Sequence, residues 1–314
     1  MVKERMGIKE LAQEVVQEIE KRIPEAKVDV REVIKNNSLI LHGLTIMDAS
    51  KETNIAPTVY LNSYYPAYLN DEMTVEEIAD RVVEVSEQNQ MKSPFRTEMV
   101  TEFENVRNNL RIKLVNTKKN EEMLKCVPHK EILDLSAIYL VAVPVDSEFI
   151  CMDGIGTITI HNALFEKYGV TVDELHEAAL ENMKTMDPAN ISGMSDVLTG
   201  LLGNPELEGM MPDIDELDMG MEMLVITNES RINGASAIVH KDTLQRLADI
   251  FKHDYLILPS SIHECLAIKA MEDADMDGLR AMVTDINATQ LTPEEVLSDN
   301  VYRYSIETGE LSIA

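Results

Sequence analysis

The stretch from Met223 to Lys269 constrains the fold most. It holds three short apolar runs of β type, Leu224–Thr227, Tyr255–Leu258 and Cys265–Lys269, with a helix-spaced stripe, Leu244, Leu247, Ala248 and Phe251, between the first two. Short apolar runs bounded by turn residues belong in the interior of a sheet, and an amphipathic helix must cover a face of one. Mixed helix and strand content is therefore required. Asn228–Gly234 reads as a turn, Ala235–Val239 as a further strand leaving it, and Pro259-Ser260-Ser261 opens another turn.

The chain before this stretch reads in two parts. Ile8, Leu11, Val15 and Ile19 mark a helix that Pro24 ends. Val28, Val30 and Ile34, the turn Asn36-Asn37 and then Leu39–Leu41 predict a hairpin, followed by a strand at 57–61 and a Tyr-rich loop at 62–70. Thr74-Val-Glu-Glu77 is a capping box, whose hydroxyl and carboxylate satisfy two helix-end amides reciprocally. Residues 1–90 thus read as a small α-β-β-β-α unit and polar 91–106 as a linker; 107–314 reads as the main domain. Within that domain, strands are expected at 110–115, 133–143 and 157–160. A second capping box, Thr171-Val-Asp-Glu174, opens a helix with Leu175, Ala179, Met183 and Met186 on its buried face. A short helix is expected at Ser195–Leu202, then a mobile acidic, Met-rich loop at 203–223. The chain closes with a helix bearing Leu279, Met282, Val283 and Ile286, a third capping box at Thr292–Glu295, and a terminal hairpin. The expected class is α+β: the small unit, then a larger mixed, mainly antiparallel sheet domain with flanking helices.

Charge narrows the function classes. Lys and Arg number 28 against 56 Asp and Glu, a net charge of −28. Such a surface repels nucleic-acid phosphates and anionic membranes and suits a protein partner of basic character. The three cysteines, Cys126, Cys151 and Cys265, form no CxxC pair, so neither a disulfide framework nor a cysteine zinc site is expected. No apolar run is long enough to span a bilayer and the first residues carry no apolar leader, so a cytoplasmic location is expected.

Several blocks resemble the bacterial family known as domain of unknown function 5688. They are LVNTKKNEEMLKCVPHKEILDLSAIYLV, YGVTVDELHEAALENM, LVITNESRINGASAIVH, LPSSIHE and LSDNVYRYSIETGEL. The helix block and the order ASAIV…LILP are more distantly similar to domain of unknown function 1444. The resemblance implies a shared fold and a bacterial cytosolic setting, with no catalytic role to carry over.

Ser261, His263 and Glu264 are the candidate catalytic residues, since a serine beside a histidine, with a carboxylate to orient it, can act as nucleophile and base. Groups two or three residues apart rarely form that triangle, and no G-x-S-x-G elbow is present. Ser261-x-x-Glu264 can instead cap a helix, or PSSIH can form a hairpin tip; the strand character of Cys265–Ile268 favours the tip. Thr227, Asn228, Ser236 and Ser260 are candidate binding residues, forming a small polar pocket if the two turns approach. No cofactor and no metal are expected. His176-Glu177 lacks the second histidine of H-E-x-x-H, since position 180 is Leu180, and His176 reads as a helix-flank residue. Cys126-x-x-His129 has only two ligands. Asp273-Ala-Asp275-Met-Asp277-Gly278 starts like a calcium loop but has Thr284 where a bidentate Glu is needed, and Asp275 reads as a helix N-cap. These residues support a non-catalytic protein-binding or regulatory module. A small Ser/His/Glu hydrolase and an acidic nucleic-acid mimic are the alternatives. Oligomeric state is not encoded in any of these patterns.

Overall fold

The computed structural model describes residues 5–48, 56–89, 97–144, 155–193, 223–259, 261–271 and 274–314. The chain divides into two compact units, Met1–Thr101 with Ala142–Ile158, and Glu102–Val141 with Thr159–Ala314. Ser260, Asp273, the helix expected at Ser195–Leu202 and the acidic segment 203–222 lie outside the described residues.

In the first unit, α1 (Ile8–Arg22) buries Leu11, Ala12, Val15 and Ile19, the i, i+4, i+8 stripe of the sequence. The hairpin of β1 (Ala26–Ile34) and β2 (Ile40–Asp48) pairs Ile34 with Ile40 and Val28 with Ile46. Asn37 turns the chain in the left-handed region (φ 58°), which asparagine tolerates. β3 (Thr58–Tyr60) adds to β2, giving the order β1-β2-β3. Residues 62–70 are not all loop: Tyr65–Leu69 makes a short helix that buries Tyr68, with Pro66 in its first turn, where its missing N–H costs nothing. α2 (Val75–Gln88) starts from Thr74, whose Oγ1 accepts from Glu77 N at 3.2 Å while Thr74 N donates to Glu77 Oε2 at 2.8 Å. Leu11, Val15, Leu44, Ile46, Ile78 and Val82 meet in one core. Each such fully buried aliphatic side chain contributes about 1.5–3 kcal/mol relative to exposure.

The second unit carries β4 (Leu110–Asn116), β5 (His129–Ile132) and β6 (Leu135–Pro144), antiparallel in the order β4-β6-β5. β5 has no apolar alternation and no strand signal; its partner β6 recruits it. The end of β6 beyond Val141 and β7 (Ile155–Thr159) up to Ile158 belong to the residues of the first unit; the second unit resumes with α3 (Asn162–Tyr168), closed by Gly169 at φ 64°. α4 (Val172–Thr185) has its capping box at Thr171. It buries Leu175, His176, Ala179 and Met183, whereas Met186 lies past its end and is exposed. His176 is thus a buried residue and not a flank residue: its Nδ1 lies 3.1 Å from the Tyr139 hydroxyl of β6.

The larger sheet runs β13-β12-β10-β11-β9-β8, from β8 (Ala189–Gly193), β9 (Met223–Asn228), β10 (Tyr255–Leu258), β11 (Cys265–Lys269), β12 (Tyr302–Ser305) and β13 (Glu310–Ile313). Every neighbouring pair is antiparallel. α5 (Lys241–Phe251) connects β9 to β10, and α6 (Met276–Gln290) connects β11 to β12. Tyr255 stacks on Tyr304 and Phe251 with centroids 5.0 and 5.5 Å apart, and its hydroxyl reaches Leu244 O at 2.8 Å. α6 forms as expected from Asp275, whose Oδ1 accepts from Gly278 N, but Met282 and Ile286 are exposed and Val283 is its buried contact.

Two further local expectations fail. Gly234–Val239 is a 3-10 helix and not a strand: Ala235 N is taken by Ile262 O at 3.2 Å, and His240 N by Ala237 O at 3.3 Å, so no sheet ladder can form. Only half of the third capping box forms: Thr292 N donates to Glu295 Oε2 at 3.1 Å, but Glu295 N donates to Thr292 O at 2.9 Å and not to the hydroxyl, and the single turn has no helix behind it. The residues that follow, Val296, Leu297, Ser298 and Val301, are buried and drawn into the core.

Candidate functional site

The sheet register brings the two nominated turns together. Cys265 pairs with Ile226, so the chain entering β11 lies beside the end of β9. Leu258 pairs with Leu266, which makes 259–264 the tip of a hairpin, closed by Ser261 N donating to Glu264 O at 3.0 Å. Thr227 Oγ1 then donates to His263 O at 2.8 Å, and Asn233 N donates to His263 Nδ1 at 3.2 Å. Arg231 and Asn233 hold positive φ (56° and 54°), turning the chain back so that Gly234 sits against both turns. A Cβ on Gly234 would come closer than 3.0 Å to Thr227 Oγ1, His263 O and Asn228 N. The turns therefore meet in contact, without even a methyl-sized gap at this point.

The side chains of Ser261 and His263 bond backbone amides of the turns themselves. Ser261 is buried and its Oγ accepts from the backbone N–H of His263 at 3.0 Å. The His263 ring accepts at Nδ1 from a backbone amide, so its neutral form carries the proton on Nε2. Among the described residues no hydrogen bond joins the Ser261 hydroxyl to the ring. Glu264 is exposed. The carboxylate influenced by the ring is Glu295, held below the usual carboxylate range by the Thr292 hydroxyl and backbone amide, with His263 adding to the effect. Glu295 O also accepts Ile262 N at 2.9 Å. Ser236 is buried, with its amide on Asn233 O.

Asn228 depends on a residue the sequence did not nominate. Its Nδ2 donates to Asp187 Oδ2 at 2.8 Å and to Ile232 O at 2.9 Å. Asp187 also takes the amide and hydroxyl of Ser230. Asn228 Oδ1 is buried with no partner among the described residues.

A second polar centre was also missed. Asp134 Oδ2 accepts from Ser298 Oγ at 2.6 Å and from Asn300 Nδ2 at 2.9 Å, and its Oδ1 accepts from the Tyr302 hydroxyl at 2.8 Å. Asn287 Nδ2 adds bonds to Ser298 O and Asp299 Oδ1, and Lys119 Nζ reaches Asp299 Oδ2, each at 2.9 Å. Leu133, beside Asp134, holds φ 58° in the tight connection between β5 and β6, a conformation costly for a branched side chain. The only advance signal was the density of polar residues in two blocks, DLS at Asp134 and SDNVY at 298–302.

Several phenol and thiol groups among the described residues are shielded by burial. Burial pushes the Cys265 thiol and the Tyr139, Tyr255 and Tyr302 hydroxyls up, and the Tyr168 hydroxyl up to about 12. Among the described residues no three His, Cys, Asp or Glu side chains gather as a metal-ligand set, and no helix is long and apolar enough to cross a membrane. Neither the curated proteins nor the solved structures contain a match to the chain. A family model matches residues 8–306, and the chain belongs to the Family of unknown function (DUF5688).

Proposed function

We propose that the protein is a non-catalytic binding or regulatory module of the bacterial cytosol that engages a protein partner of basic character. The observation that carries this reading is the use of Ser261 and His263. Hydroxyl and ring each satisfy a backbone N–H, where a nucleophile and its base would bond to each other. The excess of 56 acidic over 28 basic residues supplies a long-range field that speeds encounter with a cationic surface.

The test has two arms. Tagged protein is used as bait in a bacterial extract, each captured protein is purified, and its Kd is measured at rising NaCl. A basic partner whose affinity falls as salt screens the field is expected. Separately, the protein is treated with an electrophilic serine probe. Labelling at Ser261 that disappears in Ser261→Ala, together with turnover of an ester substrate, would sink the reading in favour of a hydrolase.

A further inference from the structure

A cavity of about 230 Å³ opens in the second unit between the end of α4 and the first turns of α5. Lys184, His240, Arg246, Asp242, Thr243 and Met183 line it. Three of these side chains are cationic or protonatable and one is a carboxylate. That balance reverses the acidic excess of the chain as a whole.

Each lining group has a defined hydrogen-bonding state. His240 is the N-cap of α5, and its Nδ1 accepts from Asp242 N at 3.2 Å. The neutral ring therefore carries its proton on Nε2, leaving that nitrogen a donor. Arg246 is anchored by one N–H to Ala189 O at 3.0 Å, and a guanidinium has further donors to offer. Lys184 pairs with Glu181 at 3.1 Å, and this exposed pair is weak enough to open. Thr243 is only 3% exposed, yet its hydroxyl makes no hydrogen bond to any described residue. Its oxygen is open to solvent at the cavity, where a ligand oxygen can take the place of water. Asp242 opposes an anion, but it is exposed, with its Oδ2 3.7 Å from His240 Nδ1. Met183 supplies buried apolar surface for a short carbon skeleton.

We propose that this cavity binds the oxyanion of a small organic anion, with Arg246 as the charged anchor and His240 and Thr243 as neutral donors. Phosphate and carboxylate share the required chemistry, since both present oxygens that a guanidinium can grip in a bidentate pair.

The full-length chain is titrated calorimetrically with inorganic phosphate and, separately, with acetate, at matched ionic strength. Saturable binding of one of them is expected, and the preferred anion identifies the headgroup. Arg246→Met and Thr243→Val should each weaken binding by roughly tenfold, the size of one lost hydrogen bond to a charged group. Thr243→Val keeps the side-chain shape, so an unchanged melting profile separates lost binding from lost folding should Arg246→Met disturb the Ala189 contact. No saturable heat with either anion, or equal affinity in wild type and both variants, overturns the proposal.

Discussion

Gly234 is where the two turns of the candidate site press on each other. Replacing it with Ala would drive a methyl group into Thr227 Oγ1, His263 O and the amide of Asn228, two of which are backbone atoms that cannot rotate away. Overpacking of this kind costs about 1–3 kcal/mol, and Gly234→Ala should fall at the upper end in urea unfolding, with an unchanged m-value. Asp134 poses the opposite case, the loss of a shared acceptor. Asp134→Ala strands Ser298, Asn300 and Tyr302, with Ser298 fully buried, and should cost about 3 kcal/mol. Asp134→Asn should cost less, because its remaining oxygen still accepts. A loss below about 0.5 kcal/mol for Asp134→Ala would show that the centre is not structural. Partners close in the chain or on neighbouring strands are legible in sequence, and distant polar partners are not. Ser261 and His263 are bonded to neighbours two residues apart or through adjacent strands, so turn chemistry and strand order reveal them. Ser298 and Asp134 are 164 residues apart and Asn228 and Asp187 are 41 apart, and no local pattern links such partners.

Helices with a complete local signature were legible: α2 and α4 each begin at a Thr-x-x-Glu box followed by an apolar stripe. The same box at Thr292 fails because the residues after it are claimed by the core, so local propensity yields to burial. The Ala235–Val239 run alternates well enough for a strand, but tight packing at Gly234 and the Ile262 bond decide otherwise. β8 was hidden because Pro188, Asn190 and Gly193 look like loop, and only its ladder with β9 makes it a strand. Packing also sets the titration of His176 where α4 lies on β6. Burial lowers its pKa from 6.5, Lys130 lowers it further, and Asp173 opposes weakly. The folded state thus favours the neutral ring, whose Nδ1 lies 3.1 Å from the Tyr139 hydroxyl, while the unfolded chain takes up a proton near 6.5. Between the folded pKa and 6.5 the unfolded state binds more protons, so stability falls as pH drops through 6.5. His176→Gln should remove this slope. The carboxylates held low, Asp173 and Glu174, have reference values of 3.8 and 4.5 and act in a lower window. Parallel pH–stability curves for wild type and His176→Gln would show that the ring does not titrate with unfolding.

At the scale of the whole molecule, the α+β class was legible because the periodic helix stripes and the apolar strand runs are properties of contiguous sequence. Net charge is legible too, and its consequence is a balance between two opposed effects. The described ion pairs are mostly exposed, as in Lys9–Glu32 at 2.7 Å and Arg303–Asp254 at 2.8 Å, where solvent screening leaves each of them little weight. Added salt weakens them. It also screens the mutual repulsion of an excess of 28 negative charges, which acts between many more pairs and favours expansion of the chain. Repulsion should dominate, so stability should rise by about 1 kcal/mol as NaCl is raised from low to moderate concentration. Chloride is the right anion for the test, because sulfate strengthens apolar burial independently of charge. The measurement is the urea midpoint across a NaCl series at pH 7.5, above the titration window of His176. A midpoint that falls with salt would assign the stability to specific ion pairs and remove self-repulsion as the leading electrostatic cost of this fold.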